Sequence, residues 1–284
     1  MKKFDYYQPH SLKEAFGLME KFKGRAKYVA GGTDIIVQMK QKAIQPDALI
    51  SLKGIDALEG INHNGGLSLG SMTLFRSIER DPAIISDYPA LAQAVFVLAN
   101  PQVRNTATIG GNLSNSAPSA DSAPPLIVME SKLILEGPGG RREVPIEEFF
   151  TGPGQNCMQQ TEVLTQIKIP KMVPHAGMAF QKIGRMAQDI AVANAAALLV
   201  MDKKVCRKCV LAVGAVAPVP LRLKNIEKIV EGEEISQDLL DKVREVVQEE
   251  VSPITDVRST EEYRGIVSGV LVKRAIKQAL RSLD

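Results

Sequence analysis

Cysteine and histidine are scarce in this chain of 284 residues, which contains three of each. Three cysteines are too few for a disulfide framework at this length, and they fit a reducing compartment. The 35 Lys and Arg against 32 Asp and Glu leave a net charge of +3, too small to indicate nucleic acid or an anionic membrane as the main partner. No apolar run approaches the roughly 20 residues needed to span a bilayer, and the N-terminus, Met1 to Asp5, lacks the apolar stretch of a signal peptide. We therefore expect a soluble, cytoplasmic protein.

The composition provides enough apolar material for a core, with 45% hydrophobic and 24% charged residues, and the length suits two or three compact lobes. A capping box at Ser11–Glu14, followed by apolar residues at helical spacing, predicts a helix over residues 11–23. Proline and charge interrupt the pattern at Pro170–Pro174, which we take as a domain boundary. We predict an α+β fold in at least two lobes. The other predicted elements are strands at 27–30, 47–52, 67–71, 126–135, 162–169, 191–201 and 205–216, and helices at 34–42, 74–80 and 89–99.

Two amphipathic helices are predicted to close the chain. The apolar face of the first includes Leu240, Val243 and Val247, and that of the second includes Tyr263 and Ile266. A second capping box, residues 259–262, opens the last helix.

A segment from Arg104 to Pro125 is rich in Ser, Asn, Ala, Gly and Pro but carries almost no charge. Disordered linkers are usually charged or of low complexity. We therefore predict an ordered loop that packs against another part of the protein.

A glycine pair in the segment 29–34 (Val-Ala-Gly-Gly-Thr-Asp) lies between a predicted strand and a predicted helix. Such a junction exposes several backbone N–H groups at a helix N-terminus and suits an anionic phosphate. Glycine is needed there because a side chain would hold the ligand away from the backbone, and Thr33 or Asp34 could cap the helix. The alternative is a tight turn in which the glycines only supply positive φ.

A second glycine pair lies in the segment 106–112 (Thr-Ala-Thr-Ile-Gly-Gly-Asn). Because the chain lacks both G-x-G-x-x-G and G-x-x-x-x-G-K-[ST], the two pairs favour a pyrophosphate held between two loops over a Rossmann or P-loop site. Asp121 follows the second pair. Its carboxylate could accept hydrogen bonds from ribose or ribityl hydroxyls, or it could cap a helix or turn.

These segments resemble the FAD-binding subunits of molybdenum hydroxylases, which include bacterial xanthine dehydrogenases and the medium subunits of aerobic CO dehydrogenases. The resemblance covers nearly the whole chain in one order. The segments that carry it are Val29–Asp34, Thr108–Asn112, Ser114–Asp121, Phe150–Gly154, Glu162–Pro170, Phe180–Lys182 with Arg185, Asp189–Ala191, Gly214–Pro220 and Tyr263–Arg264.

The resemblance implies a two-subdomain FAD-binding domain of the PCMH/vanillyl-alcohol-oxidase-like type at residues 1–176, with subdomains of about 1–57 and 58–176. A smaller α+β C-terminal domain of the CO dehydrogenase flavoprotein type would follow at 177–284. In that family the two glycine loops grip the FAD pyrophosphate. Asp121 would lie near the ribityl or ribose group and Leu164 near the flavin. Lys182 would approach from the C-terminal domain, although the sequence alone favours a surface lysine. The cofactor-binding residues implied are Lys27, Tyr28, Val29, Ala30, Gly31, Gly32, Thr33, Asp34, Thr108, Ile109, Gly110, Gly111, Asn112, Asp121, Leu164 and Lys182.

The function implied is electron transfer through non-covalent FAD. A molybdenum cofactor on a large partner subunit would hydroxylate the substrate, and [2Fe–2S] clusters on a small subunit would deliver electrons to FAD and then NAD⁺ or another acceptor. The three subunits would form a heterotrimer or its dimer. Asn112–Pro125 would belong to the interface with the cluster subunit, or be buried in this chain around FAD. The alternatives are a CO dehydrogenase-type medium subunit, a non-catalytic dinucleotide-binding regulatory module, and a self-contained flavin oxidase, which the short chain disfavours.

Cys206 and Cys209 could suggest a metal or redox site. A zinc or iron–sulfur site needs about four ligands, however, and the chain has no second cysteine pair or nearby histidine. The pair also lies in a predicted strand, where residues i and i+3 point to opposite faces, so we expect structural cysteines. Arg104 could place positive charge near the cofactor, but we favour a structural ion pair. We expect neither a catalytic residue nor a metal in this chain.

Overall fold

Three short parallel strands form the first sheet of the protein, whose computed structural model describes residues 1–283. The predicted helix over 11–23 and the predicted strands at 27–30 and 47–52 are confirmed. Ser11 Oγ accepts a hydrogen bond from the N–H of Glu14 at 3.2 Å, while the Glu14 carboxylate reaches the N–H of His10 at 3.0 Å. The elements of this part are β1 (Asp5–Tyr7), α1 (Leu12–Lys21), β2 (Ala26–Val29), α2 (Ile35–Lys40) and β3 (Ala48–Ser51), with the strands in the order β1–β3–β2.

An antiparallel sheet of five strands follows, with helices packed on it. The predicted strands at 67–71 and 162–169 and the predicted helices at 74–80 and 89–99 are confirmed. The strands are β4 (Ile61–Asn62), β5 (Gly66–Gly70), β6 (Lys132–Gly137), β7 (Gly140–Pro145), β8 (Phe150–Gly152), β9 (Gln155–Asn156) and β10 (Val163–Pro170), with the sheet order β4–β5–β10–β6–β7 and a separate β8–β9 hairpin. The helices are α3 (Phe75–Arg80), α4 (Pro82–Asp87), α5 (Pro89–Phe96), α6 (Pro101–Arg104), α7 (Ile109–Asn115), α8 (Ala123–Val128) and α9 (Ile146–Phe149), with a 3₁₀ turn at Asp56–Leu58.

The predicted strand at 126–135 is wrong in its first half, where α8 continues to Val128 and β6 begins only at Lys132. Pro124 and Pro125 lie in the first turn of α8, where the fixed φ of proline favours a helix. All six residues of α8 are buried. A run that is apolar on every side has no periodicity to distinguish a helix from a strand. The segment 104–125 is ordered as predicted, but it contains α7 and the start of α8 instead of one continuous loop.

The C-terminal part is a four-stranded antiparallel sheet between two layers of helices. Helices α10 (Lys224–Val230) and α12 (Glu261–Arg281) pack against one face, and α11 (Gln237–Glu250) packs on α12. On the other face, Met178, Phe180 and Ala196 join the core around α5 and α8. The predicted strands at 191–201 and 205–216 are confirmed, and they pair as an antiparallel hairpin. The elements of this part are β11 (Ala176–Ile183), β12 (Ala193–Asp202), β13 (Val205–Gly214), β14 (Leu221–Arg222), α10 (Lys224–Val230), α11 (Gln237–Glu250) and α12 (Glu261–Arg281), with the strand order β11–β12–β13–β14.

The two predicted C-terminal helices are present, and the apolar face of α11 buries Leu240, Val243 and Val247 as expected. Two residues assigned to the apolar face of α12 are instead half-exposed, since Tyr263 and Ile266 each retain 47% of their accessible surface. The cap of α12 is also one residue later than predicted. Thr260, rather than the preceding serine, accepts the hydrogen bond from the N–H of Tyr263, at 3.2 Å.

Within residues 1–283, no helix combines the length and the hydropathy needed to cross a membrane. The same residues contain no cluster of three or more His, Cys, Asp and Glu side chains that could hold a metal ion.

Candidate functional site

Gly31 brings two segments that are distant in the sequence into direct contact. A Cβ placed on Gly31 would lie 2.1 Å from the carbonyl oxygen of Thr106 and 2.9 Å from Cα of Ala107. Only a hydrogen atom fits in that space, so the segment after β2 packs directly against the backbone that leads into α7. The two glycine pairs therefore lie side by side.

The backbone N–H groups of residues 31–34 have no hydrogen-bond acceptor among residues 1–283. Gly32 has a φ of +80°, a left-handed conformation of the kind found in anion-binding backbone nests. Helix α2 has only six residues. We therefore attribute the capacity of this segment to bind an anion to the free N–H groups themselves rather than to a helix dipole.

The N–H groups of the second glycine pair are already used within the chain. Gly110 donates to the carbonyl oxygen of Ser71 at 2.9 Å, and Gly111 donates to Thr108 Oγ1 at 3.1 Å. The prediction that this pair lies in a loop is wrong, because Thr108 caps α7 and both glycines belong to its first turn. A Cβ on Gly110 would lie 2.6 Å from the Ser71 carbonyl oxygen. Gly110 is therefore required for packing within the protein.

Asn112 gives the second segment a different way to contact a ligand. Its Oδ1 accepts a hydrogen bond from Ser122 Oγ at 2.7 Å. That bond fixes the orientation of the amide, and the NH₂ group has no acceptor among residues 1–283. Asn112 lines the same space as the free N–H groups of residues 31–34. The second segment thus offers a side-chain donor where the first offers backbone donors.

A cavity of about 630 Å³ lies between these two segments, a size typical of small-molecule and cofactor sites. Fifteen of the sixteen predicted cofactor-binding residues line it. The exception is Ile109, which is fully buried in the hydrophobic core beside the cavity. The side chains that give the cavity its apolar walls include Leu52, Met72, Leu98, Val103, Leu164 and Ile190.

Leu164 reaches the cavity because strand β10 is irregular at this point. The register between β10 and β6 shifts between Leu164 and Gln166, so Thr165 is an extra residue in the ladder. The carbonyl oxygen of Thr165 accepts a hydrogen bond from the N–H of Ser71 at 3.0 Å. The β-bulge lies near the N-terminal end of β10, where Val163 and Leu164 line the cavity. Bulges are common next to functional sites, where they redirect a side chain.

Lys182 and Asp121 form a buried ion pair at the wall of the cavity. Lys182 Nζ lies 2.6 Å from Asp121 Oδ2, and the two side chains are only 7% and 8% exposed. Lys182 also donates to the carbonyl oxygen of Val97 at 3.2 Å. The expectation of a surface lysine, based on the sequence alone, is wrong. Burial raises the pKa of Asp121 above its usual range, although the ammonium of Lys182 and the amide of Asn194 both act against that rise.

Two other side chains that line the cavity, Tyr28 and Asp34, have pKa values raised by burial. Tyr28 donates its hydroxyl hydrogen to the carbonyl oxygen of Thr161 at 3.2 Å. Burial, and to a smaller extent the charge of Glu20, raise the pKa of Tyr28 above its usual value. Tyr28 therefore contributes a neutral ring to the cavity. Asp34 occupies the N-cap position of α2, but its side chain accepts no capping hydrogen bond. Burial raises the pKa of Asp34.

Ser71 lines the cavity although the sequence analysis did not identify it. Its Oγ is buried and has no hydrogen-bond partner among residues 1–283. The oxygen has almost no accessible surface, so Ser71 lines the cavity through its other atoms and its hydroxyl is not a contact for a bound molecule. No sequence signal marks it, because a serine after a strand is common in any turn.

The sequence matches two family profiles in succession. The profile described as the FAD binding domain in molybdopterin dehydrogenase matches residues 2–172, more than half of the chain. The chain belongs to this family. A second profile, the CO dehydrogenase flavoprotein C-terminal domain, matches residues 178–279. The protein is therefore a flavoprotein subunit of an oxidoreductase, with an FAD-binding domain followed by a C-terminal domain.

Curated relatives and solved structures agree with this family. The carbon monoxide dehydrogenase medium chain of Hydrogenophaga pseudoflava is 31% identical over 278 residues, which cover 98% of this chain and 97% of the relative. The xanthine dehydrogenase FAD-binding subunit of Escherichia coli O157:H7 is 32% identical over 279 residues, which cover 97% and 95%. A solved chain of the H. pseudoflava carbon monoxide dehydrogenase that lacks the Mo-pyranopterin moiety matches with a TM-score of 0.96, at 31% identity over 99% of this chain and 98% of that one.

In this FAD-binding subunit the neutral segment Asn112–Pro125 is packed inside the chain. None of its residues is exposed, and those from Ala120 to Pro125 are all buried. Asn112, Ser114 and Asp121 line the cavity. Its position favours the second of the two alternatives for this segment, burial around the cofactor, over an interface with a partner.

Arg104 has a structural role in the FAD-binding subunit. It is 6% exposed, and its guanidinium makes two hydrogen bonds to the carboxylate of Glu79, at 3.1 and 3.0 Å. It also donates to the carbonyl oxygen of Leu98 at 2.8 Å. Arg104 does not line the cavity. The favoured interpretation, a structural ion pair, is confirmed.

Cys206 and Cys209 are structural as expected, but they point to the same face of the sheet. The register between β12 and β13 shifts after Val200, so Arg207 is an extra residue in the ladder. The bulge cancels the alternation of side chains, and both cysteines are fully buried in the core that this face of the sheet shares with α10, α11 and α12. The expectation that they point to opposite faces is wrong because the bulge is not visible in the sequence.

We predict that one of the three thiols of the native protein reacts with iodoacetamide, and that the other two react only after unfolding. Cys157 is half-buried, whereas Cys206 and Cys209 are fully buried, and alkylation requires an accessible thiolate. Mass spectrometry after timed alkylation in buffer and in urea measures this. Rapid modification of Cys206 or Cys209 in the folded protein would contradict the assignment.

Proposed function

We propose that this subunit transfers electrons within a molybdenum hydroxylase, from [2Fe–2S] clusters of a small partner subunit through its FAD to NAD⁺ or another acceptor. A large partner subunit would carry the molybdenum cofactor, and the three subunits would form a heterotrimer or its dimer. The proposal is supported by the relatives, which are named as the medium chain of carbon monoxide dehydrogenase and the FAD-binding subunit of xanthine dehydrogenase. Because the identities are 31% and 32%, a CO dehydrogenase-type medium subunit is retained as a second candidate.

One observation carries the proposal, namely that a cavity with apolar walls is bordered by unpaired donors. The four consecutive backbone N–H groups of residues 31–34 and the amide of Asn112 belong to residues that line the cavity. A dinucleotide cofactor needs this combination, because its pyrophosphate requires donors and its ring system requires apolar contact. The residues present therefore fit FAD.

Each group has a distinct role in this proposal. The N–H groups of residues 31–34 and the amide of Asn112 bind the pyrophosphate, and the apolar side chain of Leu164 contacts the ring system. The Asp121 carboxylate accepts hydrogen bonds from ribityl or ribose hydroxyls, and Lys182 closes the site from the C-terminal side. FAD supplies the redox chemistry when it is bound, and the protein supplies binding and orientation.

We also propose that residues 1–176 form the FAD-binding domain, with subdomains of about 1–57 and 58–176, and that residues 177–284 form the C-terminal domain. The ranges of the two family matches, 2–172 and 178–279, are in keeping with these boundaries. The three unpaired cysteines fit the reducing environment of the cytoplasm, which we propose as the location.

The purified chain is expected to contain one FAD that is released by acid precipitation. None of the described residues that line the cavity is a cysteine or a histidine, so no side chain of these types lies there to link the flavin covalently. The flavin spectrum of the supernatant, set against the protein concentration, gives the stoichiometry. Flavin that stays in the acid precipitate would contradict the non-covalent assignment.

Native purification from the source cells tests the electron-transfer function. We expect the chain to co-purify with a cluster-bearing subunit and a molybdenum-bearing subunit, and its FAD to be reduced when a substrate of the complex is added. If the chain purifies alone with a bound dinucleotide that undergoes no reduction, the regulatory-module alternative replaces the proposal. If it purifies alone and oxidises a substrate by itself, the self-contained oxidase does.

A further inference from the structure

Lys182, Asn194 and Gly214 form a row across three adjacent strands of the C-terminal sheet. Lys182 in β11 pairs with Asn194 in β12, and Asn194 pairs with Gly214 in β13. Asp121 of the FAD-binding domain lies over this row. Its Oδ2 is 2.6 Å from Lys182 Nζ, and its Oδ1 accepts a hydrogen bond from Asn194 Nδ2 at 2.9 Å. Each carboxylate oxygen therefore has one donor from a different strand.

Asn194 is held in one orientation by its surroundings. The residue is completely buried, and its Oδ1 has no hydrogen-bond partner among residues 1–283. Rotating the amide by 180° would place that oxygen against the Asp121 carboxylate, where two acceptors would repel each other. The amide therefore donates to Asp121 even though its oxygen is left without a partner.

Gly214 provides the space that this arrangement needs. A Cβ placed on Gly214 would lie 2.4 Å from Asn194 Oδ1, and its next contact would be the carbonyl oxygen of Pro118 at 3.2 Å. The adjacent residue, Ala215, donates its N–H to that same carbonyl oxygen at 2.7 Å. The end of β13 thus anchors the chain three residues before Asp121 and also leaves room for Asn194.

We infer that Asn194 and Gly214 are positioning residues of the FAD site, although neither lines the cavity. Asn194 fixes the carboxylate of Asp121 and, through it, the ammonium of Lys182 at the cavity wall. Gly214 allows Asn194 to adopt the donating position. This inference rests on the proposed function, because it assigns the row to the binding of FAD.

The test measures the dissociation constant for FAD of the folded, deflavinated chain by flavin fluorescence. Asn194→Ala removes a hydrogen bond to a charged group, so we expect affinity to fall by about 10- to 100-fold. Asn194→Asp keeps the shape but not the donation, and should bind at least as weakly as Asn194→Ala. Asn194→Leu separates donation from the filling of space, because leucine has a similar shape and no donor: it should bind FAD as weakly as Asn194→Ala, and wild-type affinity would show that Asn194 only fills space. Gln181→Ala, in the same strand as Lys182, is the control and should bind normally.

A double-mutant cycle tests the role of Gly214 independently of how Asn194→Asp folds. Gly214→Ala should weaken FAD binding about as much as Asn194→Ala, but it should add little in the Asn194→Ala background, where the oxygen it would strike is gone. If Asn194→Ala binds FAD like the wild type, or if Gly214→Ala weakens binding equally in both backgrounds, the inference is overturned. A wild-type chain that binds no FAD would instead overturn the proposed function.

Discussion

Replacing Lys182 with methionine is expected to lower the free energy of unfolding by about 3–5 kcal/mol, the usual cost of breaking a buried ion pair from one side. The substitution leaves the carboxylate of Asp121 buried with Asn194 as its only donor among the described residues. Urea denaturation of the deflavinated chain measures the change without any contribution from cofactor binding.

The loss should depend on pH in a direction that the site dictates. Burial already raises the pKa of Asp121, and Lys182 limits that rise, so Lys182→Met raises the pKa further. When a carboxyl group has a higher pKa in the folded than in the unfolded protein, the free energy of unfolding falls as pH rises from the unfolded pKa to the folded pKa. The deficit of Lys182→Met should therefore be smaller at pH 5 than at pH 8.

Two variants serve as controls for this result. Combining Lys182→Met with Asp121→Asn removes both charges and should recover much of the lost stability. Lys208→Met, in the same domain as Lys182, breaks an exposed ion pair with Glu130, in which the two side chains are 44% and 40% exposed. It should cost less than about 1 kcal/mol. If Lys182→Met lowered the free energy of unfolding no more than Lys208→Met does, the buried pair of Lys182 and Asp121 would not stabilise the fold as predicted.

Replacing Gly31 with alanine is expected to weaken FAD binding by about 10- to 100-fold. The free chain relieves the clash of the added Cβ by moving the segment, and FAD binding must restore the close approach, which costs about the 1–3 kcal/mol typical of overpacking. The added Cβ would lie 2.1 Å from the carbonyl oxygen of Thr106, a backbone atom that cannot rotate away. The segment would have to move, and the free N–H groups of residues 31–34 would move with it. Fluorescence titration of the deflavinated variant with FAD measures the effect.

Gly17→Ala is the matched control for Gly31→Ala. A Cβ on Gly17, in helix α1, meets no atom within 4 Å, and alanine is the better helix former. This variant should bind FAD like the wild type and be at least as stable. Wild-type affinity of Gly31→Ala, with a normal circular dichroism spectrum, would show that the close approach of the two segments is not needed for binding.

The sequence predicted those features of the fold that depend on local physical chemistry. The capping serine of α1 (Ser11) and the strand–glycine–helix junction at Gly31–Gly32 were recognisable because caps and turns restrict which residues can occupy them. The helix α8 was missed because its residues are apolar on all sides, and that pattern fits a strand equally well. The family resemblance then gave sixteen residues as a set, and fifteen of them line the cavity. The exception, Ile109, packs into the core.

The remaining errors arose where contacts between distant segments determine the orientation, the burial or the hydrogen bonding of a residue. The bulge at Arg207 reverses the expected orientation of Cys206 relative to Cys209, and nothing in the local sequence marks it. Lys182 looks like a surface residue until Asp121, far away in the chain, is placed against it. The N–H groups of Gly110 and Gly111 already donate to the carbonyl oxygen of Ser71 and to Thr108 Oγ1, which the family resemblance did not reveal.

Titration of the deflavinated chain with FAD and, separately, with riboflavin tests the central claim most directly. The claim is that the free N–H groups of residues 31–34 and the amide of Asn112 hold the cofactor by its pyrophosphate. We predict that the chain binds one FAD, that riboflavin, which lacks phosphate, binds at least about 100-fold more weakly, and that inorganic pyrophosphate competes with FAD. Riboflavin binding as tightly as FAD, or no binding of FAD at all, would contradict the account.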